Sequence, residues 1–402
     1  MPDPRRTTQA FAAVTTLFFA WGFITALIDP LIAAVKHVFA LSNVEAQLSA
    51  FAFFIAYGVV SLPAARLIDW LGQVRAILLA LALMAGGCLV VMAGARVGHY
   101  PIVLAGLFAL ASGITVLQVA ANPLAAVLGA PERSHLRLTL AQAFNSLGTV
   151  LGPLIGARVL LRGLEAGNTA DTLAQVGRSF NVIAILLALL AAFVWSMRGR
   201  IGAAIPKAAR RAGEASPWRS PWALAGAAAI FLYVGAEVAI GSQMAFLLHD
   251  PRVWGVALEQ AGYFVSLYWL GAMAGRFAGS ALLVRVPAAR LLLAAALVAA
   301  ALALLVLGAG GVAGGWAALA IGLANSIMFP VIFTLTLERS GAGEEPTAGL
   351  LVAAIVGGAF VPLATAAVAD RAGYLAAFAI PAACYLLIAG FAVAAGQVRV
   401  RR

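Results

Sequence analysis

Twelve long apolar runs follow one another along this chain, near residues 11–34, 46–67, 74–95, 101–127, 139–161, 178–197, 221–247, 260–283, 290–309, 312–336, 347–369 and 374–396. Turn and charge signals separate them. A helix needs roughly 20 consecutive apolar residues to cross the hydrocarbon core of a bilayer, and a strand only about 10. In hydrocarbon no water satisfies the backbone, so each run must close its own hydrogen bonds as a helix. The pattern therefore predicts an all-α membrane protein with twelve transmembrane helices.

Composition supports that reading. Of 402 residues, 63% are hydrophobic and 10% are charged, with mean hydropathy +1.01. A soluble domain is about 45–50% apolar and about 25% charged, and a disordered chain is more polar still. Two cysteines exclude a disulfide framework and a Cys-x-x-Cys metal cluster. The histidines, His37, His99, His135 and His249, are scattered, which excludes an ordinary zinc enzyme. The net charge of +11 invites a nucleic-acid reading. That reading needs a basic face on a folded soluble surface, and the twelve runs leave almost no residues for one. No nucleic-acid partner is expected; the partner of this surface is the lipid bilayer.

The basic residues are instead a topology signal. With the N-terminus inside, 19 of the 26 Lys and Arg fall on cytoplasmic segments, and 7 fall on outer ones. Positive charge is retained on the cytoplasmic side. The expectation is a multi-pass protein of the cell inner membrane with both termini cytoplasmic. The opening MPDPRR is not followed by a short apolar segment with a small-residue cleavage site, so no cleaved signal peptide is expected.

The longest polar interruption holds Arg198, Arg200, Lys207, Arg210, Arg211 and Arg219. It divides the runs six and six, giving an N-terminal bundle (1–197), a cytoplasmic linker (198–220) and a C-terminal bundle (221–402). The halves carry weak symmetry: Asp29 lies deep in the first run and Glu237 deep in the seventh. The fourth run ends LQVAANP and the tenth contains NSIMFP. Duplicated bundles of this kind hold a solute between repeats near mid-membrane. The Ala- and Gly-rich composition allows close packing without demanding an oligomer, so a monomer is expected.

Polar residues inside the runs are the candidate site. An acid in hydrocarbon is costly unless neutralised, paired or facing water. Asp29 precedes Pro30, which removes a backbone donor and bends or breaks the helix. It is the first candidate for ion coupling, holding H⁺ or Na⁺; the competing reading pairs it with Lys36. Glu237, between Gly235 and Gly241, is a second candidate for coupling or for substrate binding, or is a hydrogen-bonded structural acid. Gln118 and Asn122 lie four residues apart and share a helix face, and Thr115 extends that stripe. Gln142, Asn145 and Thr149 form another. Asn325 and Ser326 fall in the tenth run and Gln243 in the outer half of the seventh. Amides both donate and accept, as polyhydroxylated ligands do; singly, each could equally be interhelical glue. Trp21 and Phe23, with Phe144, Tyr268 and Trp269, are candidates for a flat wall against a sugar ring. Arg66, Asp69 and Arg75 at the cytoplasmic edge, with Arg276 in the corresponding place of the second half, are candidate gating residues. Gly271, Gly275 and Gly279 allow close helix approach.

Six segments together carry a resemblance. WGFITALIDPLI, LASGITVLQVAANPLAAVLG, RLTLAQAFNSLGTVLGP, YVGAEVAIGS, GLANSIMFPVIF and AIVGGAFVPL resemble the fucose/galactose/glucose–cation symporter family of the major facilitator superfamily, and most of all its bacterial glucose/galactose branch. The resemblance implies the major facilitator fold and hexose uptake by symport through alternating access. It places Asp29 at the position of an essential acid of the fucose–proton branch. Gln118 stands where that branch has a glutamate, and Thr139 where it has an asparagine; both departures argue against fucose. The expected activity is symport of a glucose- or galactose-like hexose with H⁺ or Na⁺, with no cofactor besides the coupling ion. The alternative is export or antiport of a sugar or a drug-like solute by the same fold. An enzyme is not expected, since nothing pairs a nucleophile with a base.

Overall fold

The computed structural model describes residues 4–26, 43–160, 169–205 and 216–398. Asp29, Pro30 and Lys36 lie outside the described residues. The chain order begins α1 (Pro4–Ala26), α2 (Asn43–Leu71), α3 (Gln73–Val97), α4 (Tyr100–Val127), α5 (Ser134–Leu160) and α6 (Thr169–Ala204). It continues with α7 (Pro221–His249), α8 (Leu258–Leu282), α9 (Ala288–Ala309), α10 (Gly311–Asn325), α11 (Met328–Arg339) and α12 (Glu344–Ala353), then α13 (Gly357–Ala372), α14 (Tyr374–Ala377) and α15 (Ala379–Gln397). The described part of each of the twelve apolar runs therefore falls on helix. Among the described residues ten segments are long and apolar enough to cross a membrane. The remaining long helices are α5 and α8, which carry the Gln142–Asn145 stripe and Arg276.

The runs differ from the helices at several ends. α6 continues seven residues past the expected end at 197, because Arg198 and Arg200 are good helix formers and Arg198 stacks 4.0 Å over the Trp195 ring. The tenth run is two helices, α10 and α11, joined at Ser326 and Ile327. Pro330 lacks the N–H that would reach back four residues to the Ser326 carbonyl, so the ladder breaks there. The eleventh run is likewise α12 and α13 about a short 3₁₀ turn at Ala354–Val356. Two helix ends show capping by residue type. Ser220 accepts from the Ala223 N–H at 3.2 Å with Pro221 at the first helical position. Gly98, at φ +69°, turns the chain out of α3.

Two compact units result, Met1–Pro131 with Phe144–Arg210, and Glu132–Ala143 with Arg211–Arg402. In the first, α4 packs on α2 and α3, and α6 packs on α1 and α3. Every residue of α4 from Leu110 to Ala126 is buried, its polar stripe included. In the second, α7 packs on α8, α11, α13 and α15. The N-terminal turns of α5 group with this second unit, although the run itself belongs to the first half of the chain. The reason is a polar anchor: the Ser134 hydroxyl donates to Glu338 Oε1 at 2.9 Å, and His135 Nδ1 lies 2.6 Å from Thr334 Oγ1.

Candidate functional site

Each unit holds a polar cluster that includes candidate site residues. In the first, the 3.6-residue repeat of α4 brings Thr115, Gln118 and Asn122 onto one stripe. Asn122 and Thr115 are fully buried and Gln118 nearly so. Gln118 Nε2 donates to Tyr57 Oη of α2 at 2.8 Å. The Thr115 hydroxyl donates to the Ala111 carbonyl within its own helix.

Nearby in chain order, Asn145 of α5 donates through Nδ2 to the Phe18 carbonyl of α1 at 3.0 Å. A Cβ at Gly22 would meet the Asn145 backbone oxygen, and one at Gly148 would meet the Phe19 oxygen. Glycine at these points lets the two backbones touch. The Asn145 amide thus braces α1, one turn from Trp21, which is buried edge-on to Phe18. Phe23 stacks on Phe19 instead.

The second cluster surrounds Glu237. Tyr233 stands four residues earlier on α7 and donates its hydroxyl to Glu237 Oε1 at 2.7 Å. Arg276 of α8 places Nη2 3.8 Å from the same oxygen. Its Nε donates to the Ser326 carbonyl at 3.1 Å, the acceptor that Pro330 orphans. Tyr268 donates to the Glu237 backbone carbonyl at 3.3 Å and accepts from Asn325 Nδ2 at 2.7 Å. Glu237 and Arg276 retain 13% and 16% side-chain exposure, so the pair is inside the protein but not sealed. The arrangement is a carboxylate held beside a guanidinium, surrounded by neutral hydroxyl and amide groups. It can accept hydrogen bonds from a neutral polar ligand; it offers no nucleophile beside a base.

The remaining expected residues are dispersed. Gln142 is buried and groups with the second unit, whereas Asn145, on the same helix α5, groups with the first. Gln243 lies six residues beyond Glu237 on α7, roughly 9 Å along the axis. Tyr268 is fully buried and its hydroxyl serves the network, so it is no open wall, while Trp269 is 42% exposed. Arg66, Asp69 and Arg75 lie on exposed positions about the α2–α3 junction. Arg276, the gating candidate of the second half, lies beside Glu237 at 3.8 Å. Gly275 packs against Ser326 and Gly279 against Ile327, which seats α8 on the break between α10 and α11.

Sequence reasoning missed Tyr57, Tyr233 and Glu338. Tyr233 had a signal, its spacing of four from Glu237. Tyr57 had none, because its partner lies 61 residues away. Glu338 reads as a helix-end acid, yet it takes Ser134, His135 at 3.2 Å and Arg339 at 3.3 Å. Among the described residues no group of three or more His, Cys, Asp or Glu is placed to hold a metal ion.

Comparison with known proteins follows the same lines. The family described as Major Facilitator Superfamily matches residues 10–355. A glucose/galactose transporter of Brucella abortus is 40% identical over 94% of this chain and 92% of its own. The L-fucose-proton symporter of Escherichia coli is 29% identical over 95% of this chain and 92% of its own. A crystal structure of FucP in the outward conformation superposes with TM-score 0.85 at 29% identity, covering 98% of this chain and 100% of that one. The proton:xylose symporter XylE shares the fold, with TM-score 0.75 at 14% identity, over 96% of this chain and 95% of that one.

Proposed function

The chain belongs to the major facilitator superfamily, and from that premise we propose that it imports a glucose- or galactose-like hexose by symport with H⁺. The observation that carries this is the 40% identity, along nearly the whole chain, to a glucose/galactose transporter. The buried amides of α4 are its chemical counterpart, since neutral groups that both donate and accept suit a polyol. A carrier of drug-like cations would favour an apolar cavity with a bare carboxylate. The relatives' printed activities favour symport over export.

In this reading Asp29 takes the proton from the outer side. Neutralised, it can enter a closed, dry cavity at low cost. Sugar hydroxyls are bound by Gln118 and Asn122 in the first unit. Glu237 of the second unit, already paired with Arg276, is a hydrogen-bond acceptor rather than the proton carrier. Loading of both ligands favours inward opening, which requires only that the loaded carrier prefer that path. The E. coli relative is a proton symporter by name, which supports H⁺ over Na⁺. The pseudo-symmetric halves, 1–197 and 221–402, move about the linker, with both termini cytoplasmic as the distribution of basic residues favours. One chain is the working unit.

Purified protein in proteoliposomes tests this. An inward proton gradient should concentrate labelled glucose or galactose, and a protonophore should abolish the accumulation. No accumulation of any hexose under either a H⁺ or a Na⁺ gradient would overturn symport. Accumulation under Na⁺ alone would transfer the coupling role to that ion.

A further inference from the structure

We infer that Tyr57 is a second sugar-contacting residue of this carrier and that it forms one donor–acceptor pair with the Gln118 amide. The inference rests on the sugar-binding reading of Gln118 and deepens it. Tyr57 and Gln118 come from different helices, α2 and α4, and both lie within the first unit. Gln118 Nε2 donates to Tyr57 Oη at 2.8 Å, and this is the one hydrogen bond that the described residues give Gln118.

The donor and acceptor inventory then follows. A glutamine amide can turn over, exchanging its oxygen and its NH₂, and so can present either polarity to a ligand. With the NH₂ bonded to Tyr57, Oε1 is left as an acceptor. Tyr57 Oη accepts from Gln118, so its own hydroxyl hydrogen remains for donation. The pair presents one acceptor and one donor on neighbouring atoms. Two adjacent sugar hydroxyls match it, one donating to Gln118 Oε1 and the other accepting from Tyr57. An apolar solute or an organic cation would match neither group.

Titration calorimetry with the purified full-length protein, glucose, galactose and their monodeoxy analogues tests the pair. Tyr57→Phe removes one oxygen and keeps the ring. It should weaken hexose binding about tenfold, the size of one hydrogen bond. The analogue lacking the hydroxyl that meets Tyr57 should bind wild type and Tyr57→Phe equally. A merely structural role would lower all ligands together and leave the discrimination intact. Gln118→Glu, measured at pH 8, is the second variant. Its carboxylate only accepts, so it captures the Tyr57 hydrogen, and the same discrimination should be lost. Unchanged hexose affinity and unchanged discrimination in either variant would overturn the role of Tyr57. Unchanged affinity in Gln118→Ala would remove Gln118 from the site and this inference with it. A wild type that binds no hexose would instead overturn the proposed function.

Discussion

Arg276 stands 3.8 Å from Glu237 and at the same time bonds the Ser326 carbonyl that Pro330 leaves without a helical donor. One guanidinium therefore neutralises an acid on α7 and heals a backbone defect between α10 and α11. Arginine suits both tasks because its fork presents several donors in fixed directions. A lysine offers one point of charge and could not serve both at this geometry. The consequence is that the second unit's acid has a resident cation, whereas the Asp29 environment lies outside the described residues.

Arg276→Met should therefore be strongly destabilising. Removing one partner of a buried pair typically costs about 3–5 kcal/mol because the other charge is left uncompensated. The double variant Arg276→Met with Glu237→Gln should recover much of that loss while still lacking the Ser326 contact. Thermal unfolding in detergent reads both, and equal stability of the single and double variants would show that the pair is not coupled.

Asp29→Asn should abolish proton-driven accumulation and spare hexose exchange down its gradient. An amide cannot take up the proton, yet it keeps the size and hydrogen bonding of the side chain. Counterflow and gradient-driven uptake in the same vesicles separate the two activities. Full accumulation by Asp29→Asn would remove it from the coupling step.

Gly22→Val should lower stability by about 1–3 kcal/mol, the range for overpacking. The added Cβ meets the Asn145 backbone, which cannot give way as a side chain would. Gly86→Val is the control, since nothing lies within 4 Å of a Cβ there. A melting temperature unchanged in both would show that α1 and α5 are not held at contact distance.

The Asp250–Arg252 pair, outside the spans, predicts a pH effect. Arg252 donates to both carboxylate oxygens at 3.1 and 2.8 Å, and these bonds hold the Asp250 carboxyl below its ordinary value of 3.8. A folded-state value below the unfolded one favours the fold above the unfolded value, and that contribution is lost as pH falls through the folded one. Stability should therefore drop on acidification below about pH 4, and Arg252→Gln should make that drop smaller. Thermal unfolding from pH 6 to pH 3 measures the difference.

Much of the site was legible because it is local. Gln118 and Asn122 are four apart, so any helix through the fourth run puts them on one face. Glu237 stood out because few acids lie inside the runs. The partners were not legible. Asn145 lies on its stripe by spacing alone, while its bond to the Phe18 carbonyl of another helix has no signal in its own segment. Arg276 read as a helix-edge charge because nothing in its own segment indicates that Glu237 and Ser326 approach it.

The sequence by itself determined the succession of apolar helices, the helical class and the residues that share a face, since hydrocarbon forces each segment to satisfy its own backbone. Only the tertiary structure decided that Gln118 meets Tyr57, that Glu237 meets Arg276, and that the N-terminal turns of α5 join the second unit. Those contacts join residues tens of positions apart. Helical periodicity orders neighbours within a turn or two, while the choice of partner depends on which helices pack and on where glycines and prolines let their backbones meet.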